Sequence, residues 1–396
     1  MFESWVRTVA EYVERRWAPS PTFGLTKKDQ AGGTYRAYVP DLLGADGPAL
    51  SAEVHGHVTE AQSAATRADA IIGETGLFLN HLLVRSESIS SSFIEGHIIS
   101  PKRLAIADLL GQGKANALAV IANVRATEFA IGELAAKAKI TLQDLITLQH
   151  TIAPDLPPGF RTEQNWVGGR GYSPLSAEFV PPPHENVIPL LEDLLLFVNT
   201  SGQPAVIKAA IAHAQFETIH PFVDGNGRTG RALIHAILKR EGVTQNVVLP
   251  ISAVFSGGKD AYIAGLTQFR RIPPDVNAWV TSFCEATILA AQAALQLKDG
   301  AAHVNRALLV RYQLWREANG LPNQARTGSV VSRILVHLAA NPVLTVKTVS
   351  ALFGVGPTAA ESALNELADA GVLSRNKDHK GAVSAFASDE LLNLVK

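Results

Sequence analysis

His220-Pro-Phe-Val-Asp-Gly-Asn-Gly-Arg-Thr-Gly-Arg231 interrupts a chain that otherwise reads as one helix after another. Before it, Pro204 to Ile219 carries apolar residues at helical spacing; after it, a second helix starts near Arg228 and ends before Gly242. The stretch is a helix–loop–helix corner, and its surroundings make the fold class mainly α. Pro221 stops the first helix just after His220. Asp224 precedes Gly225-Asn226-Gly227, and glycines ahead of a helix start let backbone N–H groups close on an anion, with the helix dipole adding positive potential. Arg228 and Arg231, three residues apart, can face one side of the first turn. Two guanidinium forks beside a backbone cradle suit a polyphosphate. One carboxylate, Asp224, suits Mg2+, which takes one or two protein carboxylates when it sits on phosphates. A histidine at the rim, His220, can accept the proton of an incoming hydroxyl. These parts together describe phosphoryl-group chemistry on a nucleotide.

Taken singly, each residue has an ordinary reading. His220 alone would be a structural histidine, and Arg228 and Arg231 a solvated helix face. Gly225 to Gly230 also matches the dinucleotide fingerprint Gly-x-Gly-x-x-Gly. That fingerprint needs a preceding strand in a βαβ unit, whereas a helix ending in His-Pro precedes this one. The phosphate-loop pattern Gly-x4-Gly-Lys-Ser/Thr is absent. Only the combination is specific.

The 396 residues suffice for two to three domains and a sizeable core. With 47% hydrophobic and 18% charged residues the chain has a globular balance, and no unbroken apolar run of about 18 residues suggests a membrane span. Met1-Phe-Glu-Ser-Trp lacks the pattern of a secretory signal, so a cytoplasmic location is expected. A single cysteine, Cys284, excludes an intrachain disulfide and zinc sites built on paired cysteines; it reads as a small buried hydrophobe. A net charge of -1 provides no global field for nucleic acid or an anionic membrane. His55 and His57 do not share a helix face and read as surface residues.

Four regions are expected: an N-terminal helical region at 1–100, a central helical domain at 101–300, a helical linker at 301–322 and a distinct module at 323–396. The first opens with an irregular stretch containing Pro19, Pro21, Gly32 and Gly33, followed by a helix from about Ser51 to Leu77. Further helices are predicted over Asn116 to Lys137 and Val276 to Leu297. Phe160 to Pro183 breaks the rhythm with Gly168, Gly169 and Gly171, then Pro181-Pro182-Pro183; Asn165-Trp166-Val167 and Glu178-Phe179-Val180 read as two short strands of a hairpin.

At this point the residues carry a family resemblance. His220 to Arg231, with the final arginine included, resembles the signature of Fic-domain proteins, and the hairpin Phe160 to Gly168 with Phe179 to Pro183 resembles the flap of that family. The resemblance extends over roughly residues 30 to 300. It implies a Fic-type helical bundle with a β-hairpin flap, and transfer of AMP from Mg-ATP to a Ser, Thr or Tyr hydroxyl of a target protein, self-modification included. His220 would then be the general base, and Asp224 would hold Mg2+ between the α- and β-phosphates. Gly225, Asn226 and Gly227 would line the anion hole, Arg228 would lie on the β-phosphate side and Arg231 on the γ-phosphate, with Thr229 and Gly230 completing the nucleotide segment. Glycine at 227 favours AMP transfer, since a related phosphorylating branch has lysine there. The flap residues Asn165, Trp166, Val167 and Gly168 would cover the nucleotide, and the flap edge would receive an extended target segment by strand addition. Many members carry Tyr-Tyr after the motif near the adenosine; this chain has Ala261-Tyr262, so Tyr262 alone keeps that contact.

Upstream, Ser91-Ser-Phe-Ile-Glu95-Gly96 reads as a helix end with Gly96 at a left-handed cap and an acid where the dipole disfavours it. It also resembles the Fic inhibitory motif, Ser/Thr-x-x-x-Glu-Gly/Asn. The resemblance implies a salt bridge from Glu95 to Arg231 at the γ-phosphate position, and thus autoinhibition. Glu95 could also position water and run the reaction toward removal of AMP.

Residues 323–396 read as three helices (328–340, 345–353 and 357–370) and a ribbon (372–375 and 383–387), an arrangement that resembles a winged helix. Its charge is nearly balanced, with seven Lys/Arg (326, 333, 347, 375, 377, 380, 396) against six Asp/Glu (361, 366, 369, 378, 389, 390), and the recognition-type helix carries three acids and no base. Protein docking or homodimerisation is therefore favoured over DNA binding. Besides an AMP transferase, the chain could be a hydrolase removing AMP or a nucleotide-sensing regulator. An intact His220 argues against pure sensing, since binding a nucleotide needs no base.

Overall fold

The computed structural model describes residues 9–19, 27–73, 78–169, 173–377 and 382–395. In chain order its elements are β1 Glu11–Trp17, α1 Lys27–Ala31, β2 Gly33–Val39, α2 Ala52–Gly73, α3 Phe78–Ile94, α4 Pro101–Leu110 and α5 Ala115–Phe129, which runs into a π-turn at Ala130–Leu134. Then come α6 Leu142–Ile152, α7 Val187–Thr200, α8 Ala205–Ile219, α9 Asn226–Arg240, α10 Ile251–Gly257, α11 Lys259–Phe269 and α12 Val276–Ala318. The chain closes with α13 Val330–His337, β3 Val343–Leu344, α14 Val346–Phe353, α15 Pro357–Asp369, β4 Ser374–Lys377, β5 Val383–Ala387 and α16 Asp389–Leu392. Contacts group these into two units. One is Met1–Ser63, Arg125–Val243 and Gly257–Ile288; the other is Ala64–Val124, Thr244–Ser256 and Leu289–Lys396.

The first unit is built around α8. Its sequence is apolar on all sides, and every residue from Ala205 to Ile219 is buried, the behaviour of a central helix rather than an amphipathic one. Several polar groups it carries inward have partners, as burial demands. Lys208 pairs with Glu241 at 2.9 Å, Gln215 Nε2 donates to the Asp41 carbonyl at 3.0 Å, and His213 Nε2 meets Tyr262 Oη at 2.8 Å. Helices α6, α7, α9 and α11 pack in the same unit, α7, α9 and α11 directly on α8 and α6 on α7 and α9. Trp279, fully buried on α12, donates its indole N–H to the Ala210 carbonyl at 2.8 Å.

The antiparallel hairpin β1–β2, registered from Glu11 opposite Val39 to Trp17 opposite Gly33, replaces the expected irregular opening. On β1, Glu11, Tyr12, Glu14 and Arg16 are exposed, so no apolar alternation marked the strand. Tyr38 N–H donates to the Val180 carbonyl at 3.0 Å and fastens the hairpin to the flap. The flap itself holds one bridge, Val167 to Phe179, in place of two short strands. Prolines 181 to 183 have no N–H to extend the ladder. Pro21, part of the expected helix Ser51 to Leu77 (residues 74–77) and Gly171 lie outside the described residues. The helix expected to end near Leu297 continues unbroken to Ala318. Among the described residues it alone is long and apolar enough to cross a membrane by length and composition, a test that the core helix of a soluble protein also passes.

In the second unit, buried acids dock the segment Asn246–Ser252. Asp69 accepts from the N–H groups of Asn246 (2.7 Å) and Val247 (3.0 Å), and Glu87 accepts the Ser252 N–H at 2.8 Å and its hydroxyl. Helices α13 to α15 and the strands follow the order read from the sequence, with one addition. The two residues of β3 join β5 on the side away from β4, making a three-stranded sheet β3-β5-β4. Ala105 of α4 packs with Val343, Ala385, Ala387 and Leu392 in one buried cluster.

Trp279→Ala should lower the stability of the first unit by about 4 kcal/mol, through the cavity left by a buried indole. A urea-unfolding midpoint unchanged from the parent chain would contradict this account of the core.

Candidate functional site

The corner between α8 and α9 is shaped by what holds its backbone. His220 caps α8 in the left-handed conformation, φ 49 and ψ 60, with its N–H on the Phe216 carbonyl at 2.9 Å. It is the only non-glycine among the described residues with positive φ. That conformation costs an L-residue about 1–2 kcal/mol and persists where surrounding contacts enforce it.

Those contacts are a set of donors aimed at successive carbonyls. Arg161 donates from Nε to His220 O at 2.9 Å and from Nη2 to Ile219 O at 3.4 Å, and its own N–H donates to Pro221 O at 2.9 Å. Asn165 Nδ2 reaches His220 O at 3.1 Å and Phe222 O at 3.0 Å. Gln149 Nε2, from α6, takes Asp224 O at 3.0 Å. Thr229 takes Gly225 O through both its N–H (2.9 Å) and its hydroxyl (2.8 Å). Every carbonyl from Ile219 to Gly225 except that of Val223 therefore has a protein donor.

The first turn of α9 is left open. Its N-cap, Gly225, is left-handed and provides no side-chain cap, while the leading N–H groups of any helix have no intrahelical acceptor. Arg228 and Arg231 are both buried, Arg231 to 1% exposure. Asp224 stands out from the loop with 66% of its side chain exposed and its Oδ2 3.4 Å from Arg228 Nη2. Groups of three or more His, Cys, Asp or Glu able to hold a metal are absent among the described residues. A lone projecting carboxylate fits Mg2+ that arrives with phosphates, and does not fit a metal caged by protein alone.

Several motif residues turn out to serve the loop itself. Asn226 clasps Phe222 with its amide, accepting its N–H at 2.8 Å and donating to its carbonyl at 2.9 Å, so its side chain braces the loop. Thr229 is fully buried, its hydroxyl on Gly225 O. Gly230 lets α9 lie close on α8: a Cβ there would come 2.7 Å from Glu217 Oε1 and 3.0 Å from His213 Nδ1. Tyr262 is 7% exposed, stacked on the His213 ring with its hydroxyl on Nε2, an interior position rather than an open rim. Gly227 is buried in the first turn of α9.

On the flap, Val167 N–H donates to Phe179 O at 2.8 Å, and Trp166 meets Trp17 of β1 edge-on at 5.5 Å. Gly168 is left-handed, and a Cβ would strike the Glu178 carboxyl at 2.6 Å. Arg270 lies over the Phe179 ring at 4.1 Å and donates to Thr218 Oγ1 at 3.2 Å. Ser91 and Gly96 fall where the sequence placed them. Ser91 is buried on α3, Gly96 has φ 88 just past its end, and Glu95 is exposed. Arg161 and Gln149 were not singled out from the sequence; both act on carbonyls, which leave no trace in residue type.

A model of the Fic/DOC family matches residues 139–238, the segment that holds α6, the flap, α8 and most of α9. The protein adenylyltransferase fic-1 of Caenorhabditis briggsae is 29% identical over 169 residues, 41% of this chain and 31% of that protein. The protein of the same name from Caenorhabditis elegans is 30% identical over 154 residues, 38% of this chain and 28% of that protein. The chain thus spans about a third of the length of these relatives. A solved structure of a Fic family protein from Desulfovibrio desulfuricans G20 superimposes with a TM-score of 0.53 at 18% identity, over 86% of this chain and 97% of that one, a likeness of fold alone. Residues 139–238 are a Fic/DOC domain.

Burial pushes His213 down to about 3, with the Arg231 charge acting in the same sense. The unfolded chain therefore binds a proton between pH 6.5 and 3 that the folded chain refuses, and stability is lost as pH falls through that window. From pH 7 to pH 5 this one group should cost about 2 kcal/mol. Urea midpoints at the two pH values should differ less in His213→Gln, which keeps an acceptor for Tyr262; an equal difference would refute the assignment.

Proposed function

We propose that this Fic/DOC domain transfers AMP from ATP to a hydroxyl of a protein, and that Glu95 restrains the transfer. The observation that carries the reading is the uncapped, buried start of α9, flanked by two buried arginines and a loop whose carbonyls are all but one turned onto protein donors. Such a site can receive an anion with little rearrangement. The relatives named protein adenylyltransferase support AMP as the group transferred.

In this mechanism the backbone N–H groups of Gly225, Asn226 and Gly227 bind the α- and β-phosphates, and Arg228 and Arg231 neutralise the β- and γ-phosphates. Asp224 would hold Mg2+, which would supply further charge neutralisation. His220 takes the proton of the target hydroxyl. The hydroxyl oxygen forms a bond to the α-phosphorus, the bond to the bridging oxygen breaks, and pyrophosphate leaves. The flap from Asn165 to Gly168 covers the nucleotide, and its edge receives the target strand. The Val180 carbonyl is already taken by Tyr38 of β2, which leaves the Asn165–Gly168 side for that role.

Support for the restraint comes from the fixed end of α3. Asn123 Nδ2 donates to Ser88 O at 3.0 Å and Ser92 Oγ at 3.1 Å, and the turn closes with His97 N–H on Ser92 O at 3.0 Å. Glu95 is therefore presented by a rigid element. With α-phosphate-labelled ATP and Mg2+, Glu95→Gly should label protein at least tenfold faster than the parent chain, and Glu95→Gly with His220→Ala should not label at all. Equal rates in the parent and the single variant would remove the restraint; binding of ATP without label in any of the three would remove the transferase reading.

We further propose that the module at 323–396 docks protein. Two of its cations are engaged internally: Arg375 holds Asp369 at 2.6 Å and the Asn365 side chain at 3.1 Å, and Arg333 donates to Phe353 O at 2.9 Å. Duplex DNA should bind weakly with little dependence on salt, and a steep salt slope in a titration would reverse the assignment.

A further inference from the structure

We infer that Arg161 is a positioning residue that sets the left-handed conformation of His220 and ties it to the flap, so that base and flap move as one body; the kinetic half of the test rests on the AMP-transfer reading. Arg161 is 4% exposed. Its side chain donates to four carbonyls in three segments: Glu163 at 2.9 Å on the flap's near strand, Pro182 at 2.5 Å on its exit, and Ile219 and His220 on the corner. A buried cation normally faces a carboxylate. Here the carboxylate that acts on it most, Glu185, is itself bound to Arg15 at 2.8 Å. The guanidinium is thus held by peptide dipoles, and burial lowers its pKa to about 10, which leaves it charged at neutral pH.

The planar fork explains why the position needs arginine. Nε and Nη2 reach the corner while Nη1 reaches Glu163, directions that a single ammonium cannot cover at once. Asn165 completes the tie: one flap side chain donates to the carbonyls on both sides of Pro221. Opening the flap without releasing His220 would strip donors from Ile219 O, His220 O and Phe222 O together. The left-handed cap, which the backbone does not favour alone, would then be unsupported.

The test uses the full chain without ligand. In Arg161→Lys, amides of residues 220–223 and 163–168 should exchange hydrogen at least tenfold faster, both by the same factor, while the rest of α8 and α9 keep their protection. Faster exchange in the flap alone, or in neither segment, would overturn the inference. If Arg161→Lys fails to fold, Asn165→Ala carries the same requirement of paired loss. For transfer activity, Arg161→Lys should lower kcat at least 30-fold with KM for Mg-ATP within threefold, because the base is displaced and the anion site on α9 is not. A rise in KM alone would count against positioning of His220. If the parent chain transfers no AMP, that reading fails while the exchange result still decides the role of Arg161.

Discussion

The site depends on where the carbonyls of Ile219 to Gly225 point. Six of the seven are occupied by donors from Arg161, Asn165, Gln149, Asn226 and Thr229. A peptide unit whose oxygen is fixed from one side presents its N–H to the other. His220 N–H is spent on Phe216 O, Pro221 has none and Phe222 N–H is taken by Asn226, so the donors lie from Val223 onward and run into the open start of α9. No formal charge is needed for this. Two buried guanidiniums, Arg228 and Arg231, then add full charge where water is excluded and electrostatic interactions are strong.

The buried surroundings of α8 serve the same end. A fully buried helix surrounded by others gives the corner a firm base, and three of the polar groups it carries, Lys208, Gln215 and His213, are held within the interior by Glu241, the Asp41 carbonyl and Tyr262. His213 illustrates the balance. Held neutral by burial and by the Arg231 charge, it fills space close beneath Gly230 without adding a cation to a site already rich in them.

How much of this could be read from residue types divides along a physical line. Features that depend on side-chain chemistry were legible: the histidine, the projecting Asp224, the arginine pair, and the bounds of α8 and α9 within a residue or two. Features that depend on backbone partners were not. Arg161 was read only as part of the flap and Gln149 was not singled out at all, since an acceptor carbonyl belongs equally to every residue. The β1–β2 hairpin was missed because Glu11, Glu14 and Arg16 face solvent on a strand whose other side is only half-covered, so period two never appears as apolar against polar. The flap strands were overread because short β-rich segments look alike whether they form a ladder or a single bridge, and the three prolines decided it.

The close approach at Gly230, the clasping amide of Asn226 and the inward hydroxyl of Thr229 bear on what the signature records. These positions answer to neighbours inside the protein and would be selected even in a descendant that had stopped reacting. A chain could lose His220 or Asp224 and still display most of the pattern, because the corner would still have to fold. In a lineage of such proteins the signature is therefore a fossil of architecture. Residues with such interior partners would keep the pattern visible whatever chemistry the corner performs.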